Sequence, residues 1–162
     1  MPSLNFQKQF ASKVKRNAKP GTIRGPRKRP FKSGDMLYLF TGMRTNNCEP
    51  LAVRRCVGTA NVLVCENHDR EKRVVVLVFM DRTVLLTGEA LELFASLDGF
   101  RNSKEMLDFF RPRFNYSVPA LFEDSRLQCF RGQWIAWSNK WFAYFYNLRV
   151  SPLDNLRDLS IL

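Results

Sequence analysis

The chain has 162 residues, 45% hydrophobic and 13% aromatic, which suits one folded domain with its own core and excludes a disordered basic tail. Its formal charge is +11, and the excess is one-ended: residues 1–34 hold ten Lys or Arg and no acid, while the remainder is nearly balanced at 16 basic and 15 acidic side chains. Such a field selects polyanions, foremost nucleic acid and less often a membrane surface or an acidic protein; the longest apolar run, Val74–Met80, is too short to span a bilayer, and the first residues lack the apolar stretch of a secretory signal.

In chain order, Asn5 is placed to cap a helix in which Phe6, Phe10 and Val14 recur every four residues on one face. The helix stops before Pro20-Gly21, and a strand Thr22-Ile23-Arg24 follows. Gly25 to Pro30 reads as a basic loop whose prolines forbid a long helix. Ser33-Gly34-Asp35 turns the chain into a strand from Met36 to Phe40. A further strand covers Leu51 to Cys65, with a break expected near Gly58, and Asn67-His68-Asp69-Arg70 reads as a hairpin turn into a strand from Arg73 to Met80. Thr87 caps a helix burying Ala90, Leu91, Phe94 and Ala95, which ends at Asp98-Gly99. Asn102, with Glu105 three residues on, opens a second helix that buries Met106, Leu107, Phe109 and Phe110. A late strand runs from about Gln128 to Trp137. Strands interrupted by a few helices without regular alternation imply an α+β fold around a small barrel.

The chemistry concentrates at Lys19-Pro20-Gly21-Thr22-Ile23-Arg24. Proline suits the second position of a type II turn and glycine the third, so Lys19 and Thr22 become neighbours across the turn, and Arg24 shares the face of Thr22 on the strand that follows. A threonine hydroxyl needs a neighbouring base to act as nucleophile, and a lysine serves only if its pKa is lowered, as nearby positive charge tends to do. The plainer reading makes Lys19 a phosphate contact and Asp98-Gly99 a helix stop. Other templates are poorly supplied: His68 is the single histidine, and Cys48, Cys56, Cys65 and Cys129 show no metal-like pairing and read as buried thiols in a reducing cytoplasm. No metal or cofactor site is expected. Arg27, Lys28, Arg29 and Lys32 suit phosphate contacts, Tyr38 or Phe40 a stacking surface, and Arg44, after the Thr41-Gly42 bend, the same cleft.

Taken in order, the N-terminal helix, Lys19-x-x-Thr22-Ile23-Arg24, Gly34-Asp35 before Leu37-Tyr38-Leu39-Phe40-Thr41-Gly42, Ala95-x-x-Asp98-Gly99-Phe100 and Gly132-x-Trp134-Ile135-x-Trp137 resemble an ASCH domain (activating signal cointegrator homology), of the type found in phage and prophage genes. The resemblance covers about residues 4–137 and implies a PUA-like β-barrel flanked by helices, with a cleft on one side. It further implies either binding of RNA, single-stranded nucleic acid or a modified nucleoside, or an acetylcytidine amidohydrolase with Lys19, Thr22 and Asp98 as catalytic residues, or a ribonuclease. Asp98 stands where the amidohydrolases carry Glu, and Pro20-Gly21 replaces their usual threonine-like residues. The expected organisation is a domain over residues 1–137 and an extension over 138–162, comprising an aromatic strand around Trp141–Tyr146 and a short helix opened by Ser151-Pro152.

Overall fold

The computed structural model describes residues 2–67, 73–114, 116–119 and 126–148. The expected turn at Asn67–Arg70 and the helix after Ser151 lie outside these residues, apart from Asn67 itself. The fold is α+β: nine strands in two sheets, with four α-helices among the described residues. None of those helices is long and apolar enough to cross a membrane.

The smaller sheet has the order β1-β3-β4, from β1 (Ser3–Phe6), β3 (Met36–Thr41) and β4 (Glu49–Arg55). Here β1 runs parallel to β3, which requires a crossover, and helix α1 (Lys8–Lys15) supplies its first part. Asn5 therefore lies in a strand and caps nothing: its Oδ1 accepts from the Met43 amide, and Gln7 occupies the N-cap of α1. Phe10 and Val14 are buried from α1 as their spacing predicts.

The larger sheet has the order β2-β9-β5-β6-β7, from β2 (Gly21–Arg24), β9 (Arg126–Ala136), β5 (Gly58–Asn67), β6 (Arg73–Val78) and β7 (Thr83–Leu86), with β8 (Tyr116–Pro119) also on β9. The two sheets do not close into a barrel among the described residues. Alternation along the central strands explains their unbroken apolar runs. Val62, Val64, Val75 and Leu77 enter the main core, while Leu63, Cys65, Val74, Val76 and Cys129 form a second cluster.

Cys65 and Cys129 are register partners on β5 and β9 and form a disulfide. This corrects the expectation of four buried thiols: Cys56 is a buried free thiol, raised to about 11 by burial, and Cys48 is exposed.

Helices α2 (Gly88–Leu97) and α3 (Ser103–Phe110) pack beside the core, and Asn102 caps α3 by accepting from the Glu105 amide. The aromatic segment expected as a strand is helix α4 (Asn139–Tyr146). Phe142, Phe145 and Tyr146 share one face by helical spacing, and Phe142 stacks on Trp134 at 5.9 Å between ring centroids. A β-carbon at Gly58 would come within 2.3 Å of the Phe142 ring. Gly58→Ala is expected to lift α4 and cost about 1–3 kcal/mol, read as a lower urea midpoint at unchanged slope. Unchanged stability would place Phe142 elsewhere.

Candidate functional site

Two helix ends create the site. At the C-terminus of α1, Asn17 adopts φ 57°, Asn17 N donates to Val14 O and Ala18 N to Lys13 O. At the C-terminus of α2, Gly99 adopts φ 102°, Gly99 N donates to Ser96 O and Phe100 N to Ala95 O. Both sets are Schellman motifs, in which a left-handed residue reverses the chain and satisfies the last carbonyls. Lys19 follows the first reversal, and Asp98 immediately precedes the second.

Lys19 Nζ donates to Asp98 Oδ1 at 2.6 Å and also to the Asp98 carbonyl, while Lys13 Nζ donates to the Gly99 carbonyl. Two lysines thus close the negative end of α2. The Lys19–Asp98 pair is shut away from water, with Lys19 1% and Asp98 6% exposed. Burial lowers the Lys19 pKa, against the attraction of Asp98 and with a smaller contribution from Arg24 and Lys13. Burial likewise raises Asp98, opposed by Lys19, Arg24 and a hydrogen bond from the Ile23 amide. Both shifts favour the uncharged pair, and the mutual attraction resists them.

The expected type II turn does not form. Gly21 is a strand residue without positive φ, paired with Ala136, and Trp137 N donates to Pro20 O. Pairing with β9 satisfies this backbone better than a local turn, and glycine is needed for space: a β-carbon there would lie 2.8 Å from Trp134 Nε1 and 2.9 Å from Ile135 O. Thr22 and Arg24 nevertheless reach the same cavity as Lys19 and Asp98, a hollow of about 460 Å³. Thr22 is 4% exposed, and its hydroxyl donates to none of the described residues. Arg24 Nη2 donates to Asn5 O at 2.8 Å, its guanidinium lies 4.6 Å from the Phe6 ring centroid, and its Nε has no partner among the described residues.

Much of the remaining wall is aromatic, from Phe10, Phe100, Phe109, Phe110 and Phe130, with Arg113 stacked on Phe109 at 4.4 Å, and Asn5 and Gln7 line it too. These rings were legible only as core, and Lys13 and Arg113 carried no signal. The other expected nucleic-acid contacts lie elsewhere. Arg27 packs over Phe31 at 4.3 Å and lines a neighbouring hollow, and Lys28, Arg29 and Lys32 are exposed. Tyr38 sits on the less buried face of β3, opposite Leu37 and Leu39. Arg44 is exposed at φ 67° beyond the Gly42 bend; neither it nor Tyr38 lines the cavity, because alternation on β3 and the left-handed turn carry them away. Comparison with protein-family models, curated proteins and solved structures returns no match.

Asp98→Asn leaves a buried lysine without its counter-charge and is expected to cost about 3–5 kcal/mol near neutral pH. Without Asp98's attraction, burial and the neighbouring Arg24 and Lys13 charges set Lys19, whose folded pKa falls further below 10.5. Between that value and 10.5 the unfolded chain binds the proton that the folded chain lacks, so stability rises with pH. The deficit of Asp98→Asn against the parent should therefore shrink from neutral to alkaline pH, by up to about 1.4 kcal/mol per unit. Denaturant curves at several pH values check this, and a deficit that grows with pH would place the uncompensated charge elsewhere.

Proposed function

We propose that this is an ASCH-type, PUA-like protein whose cavity takes a single base or modified nucleoside, as a binder of RNA or single-stranded nucleic acid. One observation carries the reading: phenyl rings and polar side chains, among them Lys19, Thr22, Arg24 and Asp98, line one cavity of about 460 Å³. That volume lies within the range of small-ligand sites, about 300–1,000 Å³. Aromatic walls suit the faces of a heterocycle, and the few polar groups suit its edge and its exocyclic oxygen. The basic excess of residues 1–34 supplies the attraction for phosphates. The helix-flanked sheets are compatible with an open relative of the PUA-like barrel.

The second reading is an amidohydrolase acting on acetylcytidine, favoured by the Lys19–Asp98 contact at 2.6 Å beside Thr22. In that reaction Thr22 Oγ1 attacks the acyl carbon and its proton passes by way of Lys19 to the departing exocyclic amine. Water then releases acetate and restores the hydroxyl.

Titration with cytidine and acetylcytidine, followed by chromatography for acetate, separates the readings. Binding is expected for both nucleosides and to weaken about tenfold in Arg24→Gln, the loss of one hydrogen bond from a charged donor. Thr22→Val should bind within about twofold of the parent, a free-energy change below 1 kcal/mol. Turnover that disappears in Thr22→Val establishes the hydrolase, whereas absence of any nucleoside or oligonucleotide binding removes the cavity reading altogether.

A further inference from the structure

Two further hollows share lining residues with the cavity. Gly25 lines it together with a second hollow of about 470 Å³, beneath the basic loop at Pro26, Arg27 and Pro30. On the other side, Asn5, Phe6 and Gln7 line it together with a third hollow of about 1050 Å³, between α1 and the turn after β3. The aromatic cavity thus has a neighbouring hollow on each side, one reached through Gly25 and one through Asn5, Phe6 and Gln7.

The face of α1 toward the third hollow has a distinct pattern. Lys8, Ala11, Ser12 and Lys15 fall at helical spacings of three and four, so two small residues form a low floor between two cations. Arg16 lines the same hollow. Glu49 is its one carboxylate and is engaged by Lys15. On the other side Arg27 is held over Phe31, so its guanidinium is pre-positioned where the second hollow opens.

A free nucleoside would use the central cavity alone and leave both basic flanks idle. A phosphodiester chain needs the reverse: cations along a continuous path on each side of a base-sized recess. A paired base cannot enter a recess walled by phenyl rings, so the chain must be unpaired there. Resting on the reading that the cavity takes a base, we propose that its ligand is a single-stranded polynucleotide of at least three nucleotides. The central base is splayed into the aromatic cavity. Lys8 and Arg16 hold the backbone on one side of it and Arg27 on the other.

The test compares cytidine with oligocytidines of one, three and five nucleotides, in ribo and deoxyribo form, by fluorescence anisotropy or calorimetry across a salt series. The comparison is repeated in Lys8→Glu/Arg16→Glu and in Arg27→Glu. All three positions are exposed, and a carboxylate at position 8 sits favourably in the first turn of α1, so these variants should fold. Affinity should rise at least tenfold from the mononucleotide to the trimer, as flanking phosphates are engaged. Each variant should weaken trimer and pentamer about tenfold, with cytidine affinity unchanged within about twofold, and the helix double variant should lower the salt slope by about two. A preference between the ribo and deoxyribo series assigns the source of the strand; equal affinity assigns a strand of either sugar.

Equal affinity for cytidine and pentamer, unmoved by either variant, overturns the strand while leaving the cavity reading intact. Oligomer binding that survives Arg24→Gln unchanged overturns it as well, because the base then lies outside the cavity. Absence of binding by cytidine and every oligomer removes both.

Discussion

An ammonium closed against a carboxylate, away from water, is the constraint on which this structure turns. Lys19 and Asp98 are 79 residues apart in sequence, and each stands just beyond a helix that ends in a left-handed residue. Their contact ties the crossover after β1 to the end of α2. Desolvating both ions costs several kcal/mol each, and their attraction offsets this only when the remaining donors and acceptors are satisfied. Here Asp98 also accepts from Ile23 N, on the edge of β2 away from β9, and Lys19 also serves a helix carbonyl. Removing one partner is therefore far more damaging than the modest worth of an average ion pair suggests.

The aromatic wall acts on the same pair. Phe10 lies 5.3 Å from Lys19 Nζ by its ring centroid and forms edge-to-face contacts with Phe100 and Phe109. A β-carbon at Gly99 would meet the Phe10 ring at 2.8 Å, so the residue that reverses the chain after α2 also leaves room for the ring over the lysine. The phenyl groups are thus both core and cavity lining. They lower the local dielectric, which strengthens any charge interaction made with a ligand there.

The parts legible in the sequence are those written locally. The two central helices carry their own signals in Thr87, Gly99 and the Asn102-x-x-Glu105 box, and their buried stripes follow from spacing. What was not legible depends on distant partners. Asn5 looks like a helix cap until β3 pairs with its backbone, and Pro20-Gly21 looks like a turn until β9 does the same. The Cys65–Cys129 bond follows from register across β5 and β9, which spacing along the chain does not reveal. Trp141 to Tyr146 has strand-like composition, yet Trp134 and Phe94 offer a surface that only a helical spacing matches. Among site residues, Lys19 and Thr22 were singled out by a Pro-Gly turn that does not form, Asp98 by resemblance, and Arg24 by its place on a strand face shared with Thr22. Tyr38 was singled out by type, which carries no information about its face, and Arg44 by the Thr41-Gly42 bend, whose left-handed residues carry it away from the cavity.

The donor inventory of Lys19 bears on what such a site does first. An ammonium has three N–H groups, and two are taken by the Asp98 carboxylate and carbonyl. In that state the nitrogen has no lone pair to accept a proton from Thr22, and moving its proton onto Asp98 leaves the amine accepting from the new carboxylic acid. As it stands, the lysine offers a single remaining donor and a positive field. Arg24 adds a second cation at the same cavity, with an Nε that has no partner among the described residues. This arrangement recognises an oxygen, on a base or an acyl group, before it removes a proton. General-base action on Thr22 requires Lys19 to leave its proton on Asp98 and the ligand to draw the resulting amine away from the carboxylic acid, so in the proposed function binding comes before chemistry.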